Sequence, residues 1–182
     1  MACLGELTVE PLTADEFAPF GDVIEARDSS AFFVNEGQAQ RFHDLAKIDV
    51  AADNGRPLIS IFRSAPTHFP LTLHKIERHP LGSQAFIPLG NHQFLIVVAS
   101  TTNNDFPDRP RVFLSNGHQG VNYKPGVWHH PLIVLNRTTE FLVIDRGGIG
   151  TNCDVSELNE KFVIEFPEIK RWLKPDSWLS SS

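Results

Sequence analysis

The sequence predicts an all-β domain, a sandwich or barrel, and three observations carry that expectation. From Phe32 onward the chain is cut into short apolar runs, FFV, LISIF, QAFIPL, FLIVVA, RVFLS, GVNY, LIVL and FLVID, split by Gly, Pro and Asn. Its 13 prolines and 12 glycines fall mostly between those runs, which suits tight turns in an all-β domain better than a parallel βαβ fold. Many short strands at close spacing then need two packed sheets, or one closed sheet, to bury their apolar faces.

The elements follow in order. Thr13-Ala14-Asp15-Glu16 has the spacing of a capping box ahead of Phe17 and Phe20, predicting a short N-terminal helix that ends near Gly21. The eight apolar runs come next, with no repeat period. The last stretch, VSELNEKFVIEFPEIKRWLKPDSW, is more charged. It reads either as a C-terminal helix followed by a strap over the barrel, or as a solvated tail. One domain over 1–182 is expected, with an extension from about 160 to 182.

Composition bounds the function. The chain has 182 residues, 41% hydrophobic and 21% charged, with 14 Phe and 3 Trp. That suffices for one core burying roughly 70% of the unfolded surface. The net charge of -6 argues against a protein that tracks a nucleic-acid backbone, because displacing counterions needs a basic surface. Cys3 and Cys153 are the only cysteines, so neither a disulfide framework nor a CxxC metal site can form, which points to a reducing compartment. The start, MACLGELTVEPL, lacks a signal-peptide pattern, and the apolar run Phe94 to Ala99 is far too short to span a bilayer. The ending WLSSS carries no CaaX box and no SKL signal. The expectation is a soluble, cytoplasmic protein with no membrane partner.

Two clusters could carry chemistry. In Glu77-Arg78-His79, residues two apart on a strand project to one face, so Glu77 and His79 can converge while Arg78 points away. In Pro125-Gly126-Val127-Trp128-His129-His130-Pro131, the Pro-Gly turn opens a strand whose adjacent histidines face opposite sides. Gly126-x-x-His129 resembles the second motif of the cupin barrels, which favours His129 as the inward one. Glu77-x-His79-x4-Gln84-x5-Gly90 resembles the first cupin motif, with Glu where a His belongs and Gln where a Glu belongs. The candidate metal set is therefore Glu77, His79, Gln84 and His129. Two imidazoles with oxygen donors suit Ni, Mn, Fe or Zn, and the neutral Gln84 would weaken the hold on a hard dication.

Other residues are weighed beside these. Arg41 and His43 share one face of any strand. Arg63 continues the parity of Ile59 and Ile61, and if it points inward it needs an anion, since an unpaired buried charge is costly. Leu58 and Phe62 make the opposite face apolar too, so an outward Arg63 is equally supported. Asp145-Arg146-Gly147-Gly148 reads as a turn, lacking the residues of a phosphate loop. His68, His74, His92 and His118 read as ordinary surface or core histidines.

The strings RFHDL, ERHPLGSQAFIPL, QGVNYKPGVWHHPL and FLVIDRGG, in that order, resemble the ureidoglycolate lyase family of purine catabolism, with the likeness running from about 7 to 154. The resemblance implies a homodimeric, cupin-like jelly-roll barrel that splits (S)-ureidoglycolate into glyoxylate and urea in allantoin degradation, with a divalent metal, nickel or manganese, as cofactor. On that basis His79, His129, Glu77, Tyr123 and Lys124 are the catalytic candidates. Arg41 and Arg63 are expected to hold the substrate carboxylate, Tyr123, Lys124 or Gln84 to handle the ureido end, and Ser83 and Asn122 to orient by hydrogen bonds. Two other readings stand beside the lyase: a hydrolase that cuts the amide and releases ammonia, and a non-catalytic cupin that senses a small organic acid.

Overall fold

A computed structural model describes residues 5–27, 31–101, 105–165 and 169–170. It shows an all-β barrel of two curled sheets with little helix, as the apolar runs predict. The first sheet contains β1 (Gly5–Glu6), β15 (Asp154–Ile164), β7 (Leu71–Arg78), β12 (Trp128–His129), β9 (Phe94–Ala99), β10 (Arg111–Leu114) and β2 (Val9–Pro11), in that spatial order. The two-residue β13 (Ile133–Val134) also pairs with β9. The second sheet runs β3 (Gly21–Ile24), β11 (Gly120–Tyr123), β8 (Gln84–Pro88), β14 (Thr139–Gly147) and β6 (Arg56–Ser64). A separate hairpin joins β4 (Ala31–Val34) to β5 (Ala39–Phe42).

The helix α1 (Ala14–Phe17) is capped as its sequence predicts, the Thr13 hydroxyl accepting from the Glu16 amide at 3.3 Å. It seats the fully buried Phe17 against Phe20, Phe113 and Tyr123. Between the sheets lie Phe86, Phe94, Ile96, Val98, Phe113, Val121, Phe141 and Val143. Alternate residues of β9 and β10, namely Leu95, Val97, Val112 and Leu114, enter a second cluster with Leu73, Phe162 and Ile164. That double burial is why FLIVVA is apolar at every position instead of alternating.

The C-terminal expectation needs correcting. Residues 154–164 are not a helix or a solvated tail but the long strand β15, antiparallel to β7 and bulged between Glu157 and Phe162. Phe162 and Ile164 are buried two apart, pairing with Leu73 and Leu71, so a period of two outweighs the charged composition. Residues 169–170 are helical, with Ile169 buried in the second cluster, and the rest of the expected helix and strap, 166–168 and 171–182, lies outside the described residues.

Candidate active site

The site grows out of strand register. Glu77 near the end of β7 pairs with His129 of β12, and His129 pairs in turn with Val98 of β9. Paired residues share a face, so His129 and Glu77 look into the barrel with the core residue Val98. Trp128 takes the other face, packing with Ile76 and Ala99. There Arg78 lies over its ring at 4.5 Å and is ion-paired to Asp105 and Asp154. The sequence expectation that Glu77 and His129 face inward, while Arg78 and Trp128 do not, is met.

The Pro-Gly turn fixes the rest. Gly126 sits at φ +79°, where a side chain would be strained, and its amide donates to the His79 carbonyl at 2.9 Å. This ties the turn ahead of β12 to the end of β7. Candidate ligand atoms of Glu77, His79 and His129 then lie within 4.8 Å of one another. The two imidazoles have centroids 5.1 Å apart, and the His129 Nε2 is 3.8 Å from the Glu77 Oε1.

Hydrogen bonds at the far side of each ring decide what the near side offers. His79 Nδ1 contacts the Asn152 carbonyl at 2.6 Å, and His129 Nδ1 contacts the Val127 carbonyl at 2.9 Å. A carbonyl can only accept, so both rings carry hydrogen on Nδ1, and Nε2 is the atom each ring turns to the cluster. Both Nε2 atoms are buried without a hydrogen-bond partner. Two unpartnered imidazole nitrogens beside a carboxylate, each ring oriented by a carbonyl behind it, fit a divalent cation.

Electrostatics sharpen the roles. Burial pushes the His129 pKa down to about 3, outweighing the Val127 carbonyl, with His79 and His130 adding repulsion. His129 is thus neutral as a ligand must be, and too weak a base to take a proton near neutrality. In metal-free protein the unfolded chain binds a proton at this histidine below about 6.5, whereas the folded chain does not until about 3. Stability is therefore complete above the unfolded pKa and is lost as pH falls towards the folded one. Going from pH 6.5 to pH 5 is expected to cost about 2 kcal/mol, at 1.36 kcal/mol per unit. Denaturant midpoints should show this slope in metal-free wild type and a shallower one in His129→Gln.

Tyr123 stacks on His129, with centroids 4.4 Å apart and planes 16° from parallel. Burial, with the Glu77 carboxylate adding to it, pushes its pKa up, so the phenol keeps its proton. Gln84 is the register partner of Tyr123 and faces the same interior, its buried Oε1 without a hydrogen-bond partner.

The remaining candidates are not brought to this cluster. Ser83 exchanges hydrogen bonds with the Asp49 backbone, its hydroxyl accepting at 2.8 Å and its amide donating at 2.7 Å. Asn122, facing away from Tyr123 on β11, donates to Asp22 and to the Lys47 carbonyl. Both fasten the 46–55 segment to the outside of the second sheet. The Lys124 ammonium donates to the Ala18 carbonyl at 2.6 Å, on the exposed side. Arg41 is on the outlying hairpin over the Phe32 ring at 5.9 Å. Arg63 lies on the outward face of β6, exposed and paired to Glu140 at 2.6 Å. Its neighbours in register explain this: Phe62 meets the buried Phe141, so Phe62 takes the inward face and Arg63 the outward one. Arg63→Ala should therefore change turnover less than about twofold and stability by at most about 1 kcal/mol, checked by kinetics and melting.

Sequence reasoning missed Asn152, whose carbonyl orients His79 while its side-chain oxygen accepts from the Leu81 amide at 2.7 Å. A backbone carbonyl leaves no mark on side-chain patterns, so nothing in the sequence could have found it.

A barrel of two curled sheets with an inward Glu-His-His set beside a buried Tyr and Gln is the arrangement of a cupin enzyme. The chain belongs to the ureidoglycolate lyase family, whose sequence profile matches residues 5–165. A ureidoglycolate lyase of Stutzerimonas stutzeri is 53% identical over 148 residues, 81% of this chain and 87% of its own. One from Pseudomonas syringae pv. tomato is 51% identical over 87% of this chain and 95% of its own, and one from Burkholderia mallei 47% identical over 96% of each.

Proposed function

We propose that this chain is a ureidoglycolate lyase, splitting ureidoglycolate into glyoxylate and urea. The observation that carries the reading is the pair of buried, unpartnered imidazole nitrogens facing Glu77 in a chain of this family. One carbon of the substrate bears a carboxylate, a hydroxyl and the ureido nitrogen. Elimination removes the hydroxyl proton, forms the C=O bond, breaks the C–N bond and returns a proton to the departing nitrogen.

Glu77, His79 and His129 would hold the divalent ion, nickel or manganese, which when bound supplies positive charge for the substrate carboxylate and acidity for its hydroxyl. Among the described residues, the cations next to these strands are engaged elsewhere. Arg78 is committed to Asp105 and Asp154, Lys124 to Ala18, and Arg146 to the carbonyls of Ala52 and Ile149. In this reading the Glu77 carboxylate oxygen not engaged by the ion takes the hydroxyl proton, since the ion would occupy the Nε2 of His79 and His129. The protonated Tyr123 phenol is the donor for the leaving nitrogen, and Gln84 meets the ureido group. Such acid–base assistance typically contributes about 10²–10⁴-fold, with orientation adding to it. A single domain, a homodimer and a cytoplasmic setting belong to the same reading. No helix among the described residues is long and apolar enough to cross a membrane.

The test is product analysis with urease kept out. Urea and glyoxylate in equal amounts are expected; ammonia and carbon dioxide without urea would mean a hydrolase, and tight glyoxylate binding with no turnover would mean a sensor.

A further inference from the structure

We infer that Asp145 recognises the ureido end of the substrate together with Gln84, an inference that rests on the lyase reading and adds to it a specificity residue. The alternation of β14 places it: Phe141 and Val143 are fully buried between the sheets, and Asp145 is the next residue on their face. Its partner across β6 is Leu58, and Ile144 pairs with Ala85 of β8, so one step further along both strands sets Asp145 beside Gln84. Gln84 is in turn paired with Tyr123, whose ring stacks on His129. A row of inward side chains on adjacent strands thus leads from the Glu-His-His cluster through Tyr123 and Gln84 to Asp145.

The row ends in two acceptors without donors. The Gln84 Oε1 and the Asp145 Oδ1 are both buried, and neither has a hydrogen-bond partner. Leaving a buried acceptor unmet is costly and uncommon, and two as neighbours point to a ligand that donates to both. A glutamine amide can turn to offer a donor instead, but a carboxylate only accepts. Asp145 therefore fixes the character of this corner as a site for N–H groups. Asp145 is not a member of the metal-ligand cluster, and the adjacent Arg146 is turned away to the carbonyls of Ala52 and Ile149. Nothing nearby on this strand neutralises it.

The ureido group is the part of the substrate with this chemistry, offering one N–H and one NH2 on a planar unit. The other end is a carboxylate, which Asp145 repels. The same residue thus attracts one end and rejects the other, so the substrate enters with its carboxylate toward Glu77, His79 and His129 and its urea toward Gln84.

The experiment is steady-state kinetics of full-length Asp145→Asn on ureidoglycolate, with metal content measured and glycolate as a competitive inhibitor. Glycolate carries the carboxylate and hydroxyl but no ureido group. The expected result is a KM raised about 10-fold or more, the effect of losing a hydrogen bond to a charged group, with metal content and glycolate inhibition unchanged. If the Asn variant does not load metal, Asp145→Ser carries the same measurement. An unchanged KM overturns the inference, and so does a KM that rises only together with weakened glycolate inhibition and lost metal, the mark of a structural role. Wild type that releases no urea overturns the lyase reading and this inference with it, whereas urea release with an unaffected variant overturns this inference alone.

Discussion

Replacing His129 by alanine is expected to lower urea release by about 10³-fold or more and to leave the purified protein without metal. The size of the effect follows from how little can substitute for this side chain. His129 is 2% exposed, its Nδ1 is held by the Val127 carbonyl, and its ring is clamped against Tyr123. No other imidazole can move into its place, because His130 lies just past the two-residue β12 with its Nδ1 against the Pro131 carbonyl, and His79 already occupies its own corner. The fold should survive, since the deleted ring leaves one fewer unpartnered nitrogen in the interior. Turnover, metal analysis and circular dichroism on one preparation check all three statements. Full activity in His129→Ala would remove the site while leaving the barrel intact.

Gly21→Ala should unfold the protein at a temperature lower by roughly 6–12 °C, corresponding to about 3 kcal/mol for a chain of this size. Gly21 opens β3 directly opposite Tyr123 of β11. A Cβ there would overlap the Asn122 carbonyl oxygen and come within 2.9 Å of its carbon and 3.2 Å of the Tyr123 Cα. These are backbone atoms and cannot rotate away, so either β3 leaves the sheet or β11 shifts. A shift of β11 carries Tyr123 with it, and Tyr123 is the ring on which His129 rests. Activity should therefore fall together with stability. Gly37→Ala is the control: its Cβ would meet nothing within 4 Å, so only its left-handed φ of +86° is costly, at about 1 kcal/mol. Thermal melts of the three proteins and their turnover at one temperature check the ordering.

How much of this was legible in the sequence depended on whether side-chain parity had one answer. For Glu77 and His79 it did: two apart where β7 ends at Arg78, they turn to one cluster, and β12 adds His129 to it. The choice of His129 over its neighbour also needed the Gly-x-x-His spacing, because parity alone excludes only one of two adjacent rings. For Arg63 parity had two answers. Leu58, Ile59, Ile61 and Phe62 make both faces of β6 apolar, and only the pairing of Phe62 with Phe141 decides which is inside. Ile59 and Ile61 are in fact exposed, so hydrophobicity was no guide to direction on that strand. β15 was hidden for the opposite reason, its charge concealing a strand that pairs along β7. Asp145 was read as a turn because Gly147 and Gly148 follow it, although β14 continues through Gly147.

The central claim is that Glu77, His79 and His129 form the metal site at which ureidoglycolate is split. It is tested most directly by stripping the protein with a chelator, returning nickel or manganese in steps, and measuring urea together with bound metal. The account predicts negligible urea from the stripped protein and a rate that rises in proportion to bound metal, saturating at one ion per chain. Full urea release from protein shown to be free of metal would contradict it.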